Sequence, residues 1–395
     1  MTPGLAFFYG GMVRRKNVLS TMMASFFIMG LASVLWVLVG YTLSFGGNFG
    51  GIIGTFKYFA LGGMTDTSTS DYANSIPQLL FAAFQMMFAI ITPALITGSL
   101  VERMRFPSLF IFIALWSLTV YYPLAHMIWV DGGLLRQLGA VDFAGGNVVH
   151  ISSGVSGLVA SLMLGRRKGY GVASYQPHNI PFVILGAALL WFGWFGFNAG
   201  SALGANELAV HAFMTTNTSA ACAMLSWMLI EKLLRGKPSV LGAATGAVIG
   251  LVAITPAAGF VPIWASLIIG TLVSPICYFA ITFVKKKLGY DDALDAFGCH
   301  GIGGIWGGIA TGLFAQTAIN SSAKWNGLFF GNWHLLAAQL IAIGVTITVA
   351  VVGTFICMTI VKLITKLRVA PIEESYGLDS IEHGESAYPS FTGMD

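Results

Sequence analysis

Long stretches without a charged residue alternate along this chain with short clusters of charge, and the stretches have the length of a membrane crossing. Asp, Glu, Lys and Arg are absent from 17–56, 72–101, 106–130, 143–165, 169–206, 208–230, 238–284, 296–323 and 325–361. A spanning helix needs about 20 predominantly apolar residues, so each stretch holds at least one. The stretch 238–284 is broken at Pro256-Ala-Ala-Gly-Phe-Val-Pro262, where proline and glycine interrupt a helix, and divides into two. The nine stretches, one of them divided, predict ten complete helices. Residues 1–13 are apolar but too short to cross, and predict a further, truncated first helix. Arg14, Arg15 and Lys16 follow this stretch, whereas the positive charges of a signal peptide precede its apolar core.

Basic residues gather on the cytoplasmic side of membrane proteins. If Arg14, Arg15 and Lys16 are cytoplasmic, alternate loops carry all of the 20 basic residues except Lys57, Arg136 and Lys324. That alternation predicts a multi-pass protein of the cell membrane with a cytoplasmic C-terminus. It also accounts for the net charge of +4 as topology, so no nucleic-acid partner is expected. Composition agrees: 56% of residues are apolar and 9% charged, against roughly half and a quarter in soluble domains. Cys222, Cys277, Cys299 and Cys357 all fall within predicted helices, without the paired spacing of a disulfide or zinc framework, and read as small packing residues. The 49 glycines concentrate in the helices, where small residues let backbones approach.

Two segments echo each other. Asp142-Phe-Ala-Gly-Gly-Asn-Val-Val-His150-Ile-Ser-Ser-Gly154-Val-Ser-Gly157 matches Asp292-Ala-Leu-Asp295-Ala-Phe-Gly-Cys-His300-Gly-Ile-Gly-Gly304-Ile-Trp-Gly307 in an aspartate eight residues before a histidine and glycines four and seven after it. On a helix those glycines share the histidine's face. A weaker echo pairs Phe7-Phe-Tyr-Gly-Gly11 with Phe195-Gly-Phe-Asn-Ala-Gly200. The expected architecture is therefore an all-α integral membrane fold of eleven transmembrane helices, the first truncated. It forms two inverted five-helix repeats, 1–165 and 180–315, plus one extra helix, 332–361. The transmembrane domain covers 1–361 and a cytoplasmic tail 362–395. Inverted repeats place a transport site near the midplane at their interface.

His150 and His300 are the sharpest chemical feature, because an ionisable group at membrane depth is costly and marks function by default. A packed structural histidine is the alternative, weakened by the equivalence of the two positions. Burial disfavours a charged imidazolium, so a neutral pair is expected, each ring able to donate at one nitrogen and accept at the other. A metal site would need a third ligand, and only Asp142 and Asp295 are near in sequence; no cofactor is expected. Asp142, at the mouth of helix 5, can cap free N–H groups, set the field at a cation entrance, or both. In Trp191-Phe-Gly-Trp194-Phe-Gly-Phe197-Asn-Ala-Gly-Ser201, Phe197 and Ser201 lie one turn apart with Trp194 a turn below. Phe84 and Phe88 form a similar pair on helix 3, and Trp129 ends helix 4 at the interface.

These features resemble the ammonium transporter (Amt/Mep/Rh) family, and specifically its bacterial Amt branch. The resemblance rests on Pro3-Gly-Leu-Ala-Phe-Phe-Tyr-Gly-Gly11, the Asp142–His150 and Gly193–Ser201 segments, Phe297-Gly-Cys-His-Gly301, and the tail Gly377-Leu-Asp-Ser-Ile-Glu-His-Gly-Glu-Ser-Ala-Tyr388. It implies that Trp129, Ser201, Phe84 and Phe88, supported by Asp142, form an outer site recruiting NH₄⁺. It further implies that Phe88 and Phe197 close the pore below, and that His150 and His300 line it beside Trp194. The family's members are homotrimers, and the tail of bacterial members is tied to PII-type signal proteins. A cation–π contact contributes about 0.5–2 kcal/mol, whereas a bare charge at mid-bilayer costs at least about 2.5–3.5 and up to ~10–17 kcal/mol. Rings can then recruit NH₄⁺ but not carry it through, and passage as NH₃ with a relayed proton is expected. An ammonium sensor of the same fold, a Rhesus-type gas channel and a membrane hydrolase are the alternatives. The last lacks a Gly-x-Ser-x-Gly nucleophile motif.

Overall fold

The computed structural model describes residues 1–70 and 72–388; the end of the predicted tail, 389–395, lies outside them. The helices are α1 (Thr2–Met12), α2 (Arg15–Phe45), α3 (Gln78–Leu100), α4 (106–129), α5 (Gly146–Leu164), α6 (Ile180–Ala202), α7 (Glu207–Arg235), α8 (Val240–Ile254), α9 (Ile263–Leu288), α10 (297–314) and α11 (His334–Ile364). A short helix, α12 (Pro371–Tyr376), belongs to the tail. Among the described residues, strand pairing is confined to a small antiparallel pairing of Thr69–Ser70 with Ala73–Pro77 in the long loop after α2 and two isolated bridges, Phe49 with Ile53 and Met104 with Arg368.

Local sequence fixes the ends. Asn179, Asn206 and Ser239 accept from Phe182, Ala209 and Gly242 N–H groups at the starts of α6, α7 and α8, satisfying amides that a helix leaves free. Gly165, Gly236 and Gly289 stop α5, α7 and α9 with φ of 78°, 80° and 68°, a conformation glycine adopts without Cβ strain.

Among the described residues, seven helices are long and apolar enough to cross a membrane: α2 to α6, α9 and α11. Three of the ten predicted complete crossings fall outside that set: α10, where glycines and His300 dilute the apolar content, α7, and α8, which is short. Its 15 residues rise about 22 Å, less than the roughly 30 Å of hydrocarbon, and Gly246 through Ile254 are all buried in the bundle. Helix α7 is long enough but carries the polar run Thr215-Thr-Asn-Thr-Ser219.

The packing has a regular plan. Helix α2 lies on α3 and α7 on α8, α3 lies on α5 and α8 on α10, α1 packs against α6, and α5 crosses α10. Helix α11 spans α4, α5 and α10. Large apolar side chains such as Phe192, Leu340, Ile341, Phe355 and Ile356 point outward, as expected where the solvent is lipid.

One end of the bundle gathers charge. The Glu102 carboxylate accepts from Arg14, Asn17 and Arg167, and Arg167 grips Asp291 through its backbone N–H and guanidinium. Glu102 holds a φ of 70°, a left-handed conformation that costs a side chain about 1–3 kcal/mol and directs its carboxylate inward. The tail is tied to the same end. Asp379 accepts from the Leu19 and Ser20 N–H groups at 3.0 and 2.8 Å, and Glu374 bonds Lys168 N–H and Arg368.

Candidate functional site

The two histidines ride on matching local structures. The Asp142 carboxylate accepts the Gly145, Gly146, Asn147 and Val148 N–H groups at 2.8, 2.6, 2.8 and 3.3 Å. Gly145, at φ 112°, makes the turn that lets the chain fold back over that carboxylate. Helix α5 then opens in a π turn over Gly146–Ile151 containing His150. At the opposite end of the bundle Asp292 accepts the Ala296 and Phe297 N–H groups at 3.1 and 2.8 Å, and the Ser99 hydroxyl at 2.7 Å. Helix α10 opens in a π turn over Phe297–Gly301 containing His300. Such wide turns re-aim side chains and concentrate at functional positions. The aspartate eight residues before each histidine signalled both caps, yet sequence reasoning gave a role to Asp142 alone and passed over Asp292.

Where α5 and α10 cross, Gly154 lies against the backbone of Gly301, and Gly304 against His150 and Ile151. This approach sets the imidazoles parallel, with centroids 5.3 Å apart and planes 19° off. His150 is 1% exposed and His300 3%. Neither nitrogen of His150, nor Nδ1 of His300, has a protein partner among the described residues. Trp194 stacks on the other face of His150 at 5.4 Å, its indole N–H bound to Thr255 Oγ1 at 2.9 Å. Around them Leu5, Ile91, Leu95, Leu190 and Val248 enclose an apolar cavity of about 10 Å³, room for at most one water. Buried ring nitrogens facing such a space are an unmet demand for hydrogen bonds.

Phe88 and Phe197 close one end of this cavity, stacked at 4.1 Å and 22°. Beyond them opens a cleft of about 260 Å³ walled by Phe84, Phe88, Trp129, Asp142 and Ser201. Phe84 and Trp129 meet Phe88 edge-on at 5.0 and 5.6 Å. The Trp129 indole N–H donates to the Asp142 carbonyl at 2.9 Å, which fixes the ring. Ser201 donates to the Phe197 carbonyl at 2.9 Å, leaving its oxygen free to accept. Every residue singled out from sequence thus falls on one of two consecutive spaces. The Asp142 carboxylate is already engaged by backbone as a cap, so it turns no oxygen to the cleft directly. Sequence reasoning missed Gln85, whose buried Oε1 on the cleft wall has no protein partner among the described residues, and Arg136 at the rim.

A Cβ at Gly154 would overlap the Gly301 backbone, and backbone cannot swing aside. Gly154→Ala is expected to destabilise the fold by about 1–3 kcal/mol, read by thermal unfolding in detergent. Gly196→Ala is the control, since a Cβ there meets nothing within 4 Å. Equal unfolding temperatures in the two variants would remove the tight crossing from the account.

The sequence model of the Ammonium Transporter Family matches residues 1–388. An ammonium transporter of Bacillus subtilis is 54% identical over 389 residues, covering 98% of this chain and 95% of its own. The ammonium transporter Amt1 of Archaeoglobus fulgidus is 46% identical over 389 residues, with the same coverage. Among solved structures, Saccharomyces cerevisiae Mep2 superposes with a TM-score of 0.87 at 36% identity, covering 94% of this chain and 84% of its own. A sensor Amt protein superposes at 0.87 with 27% identity, covering 97% and 94%.

Proposed function

Because the chain belongs to the ammonium transporter family, we propose that it recruits NH₄⁺ in the aromatic cleft and conducts NH₃ through the apolar cavity, with the proton relayed between His150 and His300. It is a membrane transport protein and not an enzyme. The observation that carries the mechanism is the stacked Phe88–Phe197 pair between an open aromatic cleft and a closed cavity holding two unsatisfied imidazoles. Ring faces of Phe84, Phe88 and Trp129 attract a cation, and the Ser201 oxygen accepts one N–H. Below the phenyl pair nothing compensates a full charge, so the ion gives up its proton as it enters. Stacked neutral imidazoles at 5.3 Å then serve as the polar stepping point for that proton.

The same proposal takes the eleven helices as two inverted repeats, 1–165 and 180–315, with α11 added, a plan supported by the matched helix neighbours and by the twin aspartate caps. It places the tail in the cytoplasm, on the side where basic residues concentrate. The family resemblance supports a homotrimer, and the docked tail offers a surface to a PII-type signal protein. Trp129→Leu is expected to raise the half-saturating ammonium concentration by about threefold or more, from the loss of a 0.5–2 kcal/mol cation–π contact, in ammonium-evoked currents on supported bilayers. Unchanged half-saturation would overturn the recruitment site. The sensor neighbour and the tethered tail favour one second reading, an ammonium sensor carrying little flux. Purified protein giving no ammonium-dependent current in proteoliposomes would select it.

A further inference from the structure

A cleft that gathers cations has an arginine on its rim. Arg136 lines the space walled by Phe84, Trp129, Asp142 and Ser201. It also borders an adjoining outer cleft shared with Asp131, Ser322 and Lys324. Two fixed positive charges at a cation entrance oppose entry. Asp142 pairs with neither of them among the described residues, since both its carboxylate oxygens are engaged by four backbone N–H groups and it is 6% exposed. The offset is local: Arg136 Nε donates to Asp131 Oδ1 at 2.6 Å, and Lys324 rests over the Trp325 ring at 4.6 Å. The Asp131 carboxylate lies two residues past the recruiting Trp129, and Arg136 stands on the short helix Leu134–Gln137 that follows. The pair is therefore fixed to the same segment as the indole.

We propose that Asp131 is a positioning residue that sets the affinity and the salt response of the entrance, by holding Arg136 paired and turned to the rim. The inference rests on the cleft being the recruitment site. An exposed ion pair stabilises the fold by little, so its consequence is the charge presented to an arriving cation. With Asp131 neutralised, Arg136 adds one uncompensated positive charge beside the cleft, in a solvent-filled mouth where Coulomb effects persist over about 10 Å at 0.1 M salt.

The test measures half-saturating ammonium in currents from full-length Asp131→Asn, Arg136→Gln and the double variant, at about 10 mM and about 300 mM ionic strength. Asp131→Asn is expected to raise half-saturation about threefold at low salt, the scale of one charge acting through a largely aqueous medium, and by much less at high salt. The double variant is expected to return to within the wild-type range, which a folding defect in the single variant would not allow. A shift in Asp131→Asn that persists at high salt, or that Arg136→Gln fails to rescue, overturns the proposal. So does an unshifted Asp131→Asn where Trp129→Leu does shift. If Trp129→Leu is also unshifted, the recruitment reading itself fails.

Discussion

Changing both His150 and His300 to alanine is expected to cut ammonium-evoked current by at least about tenfold, a loss of more than about 1.4 kcal/mol in the conduction barrier. The expectation follows from what the cavity lacks. It has room for about one water, its walls are aliphatic and aromatic, and the Trp194 N–H on its wall is already bound to Thr255. Among the described residues, both nitrogens of His150 and Nδ1 of His300 are left without protein partners there. A proton released at the phenyl pair would otherwise face the cost of a bare charge in a low-dielectric core, at least about 2.5–3.5 kcal/mol. Cation–π attraction of about 0.5–2 kcal/mol does not meet that cost. Alanine also empties the cavity, and three outcomes are informative. Loss of current with continued ammonia uptake would separate NH₃ passage from proton relay. Current that persists with new permeability to K⁺ would mean that water has filled the space and the ion passes whole. Current that persists with unchanged selectivity over K⁺ would sink the relay.

The site was more legible in the sequence than the scaffold that holds it. The histidines announced themselves because an ionisable side chain in a charge-free stretch is conspicuous, and the aligned Asp-x₇-His pattern made them a pair. What the pattern could not convey is that π turns, rather than regular helix, present them. A wide turn changes hydrogen-bond register without changing residue type. Arg136 stood out only as an exception to a charge bias and Asp131 not at all, since nothing in a one-dimensional pattern indicates that Arg136 borders the aromatic cleft or that Asp131 pairs with it. The short or polar helices α7 and α8 pass as ordinary crossings in the sequence because 208–230 and 238–284 are free of charge. Burial against protein instead of lipid lets small residues replace long apolar ones along α8 and hydroxylic ones on the inner face of α7 (Thr215, Thr216 and Ser219), and that substitution lowers their resemblance to a lipid-facing span. The charge clusters stand out in the sequence as a bias among loops, but their pairing joins loops far apart along the chain. Glu102 to Arg167 and Arg167 to Asp291 span 65 and 124 residues, beyond the reach of any local rule.

Those pairings support the second large prediction, that Arg167→Ala destabilises the protein by about 3–5 kcal/mol, the cost of breaking a buried ion pair from one side. Arg167 is 6% exposed and bonds Asp291 at 2.8 and 2.9 Å and Glu102 at 2.9 Å. Burial opposes its charge, but those contacts outweigh burial and hold its pKa above the ordinary arginine value. Burial likewise pushes both acids up, and the contacts from Arg14 and Arg167 to Glu102, and from Arg167 and Arg103 to Asp291, bring them below the usual carboxylate range. Arg103, packed against the same aspartate, is pushed down to about 10 by burial. Acids with depressed values stabilise the fold fully above their unfolded pKa of about 4. That contribution is lost as pH falls through the lower folded values. Wild-type stability is therefore expected to fall below about pH 4, and the Arg167→Ala variant to show a shallower loss there from a lower plateau. Arg167→Lys should recover only part of the deficit, because an ammonium cannot engage Asp291 with two parallel bonds and reach Glu102 as well. Denaturation in detergent across pH 3–7 reads all three. A plateau for Arg167→Ala within about 1 kcal/mol of wild type would mean that the cluster behaves as solvated surface charge and does not clamp the loops between α1 and α2, α3 and α4, α5 and α6, and α9 and α10.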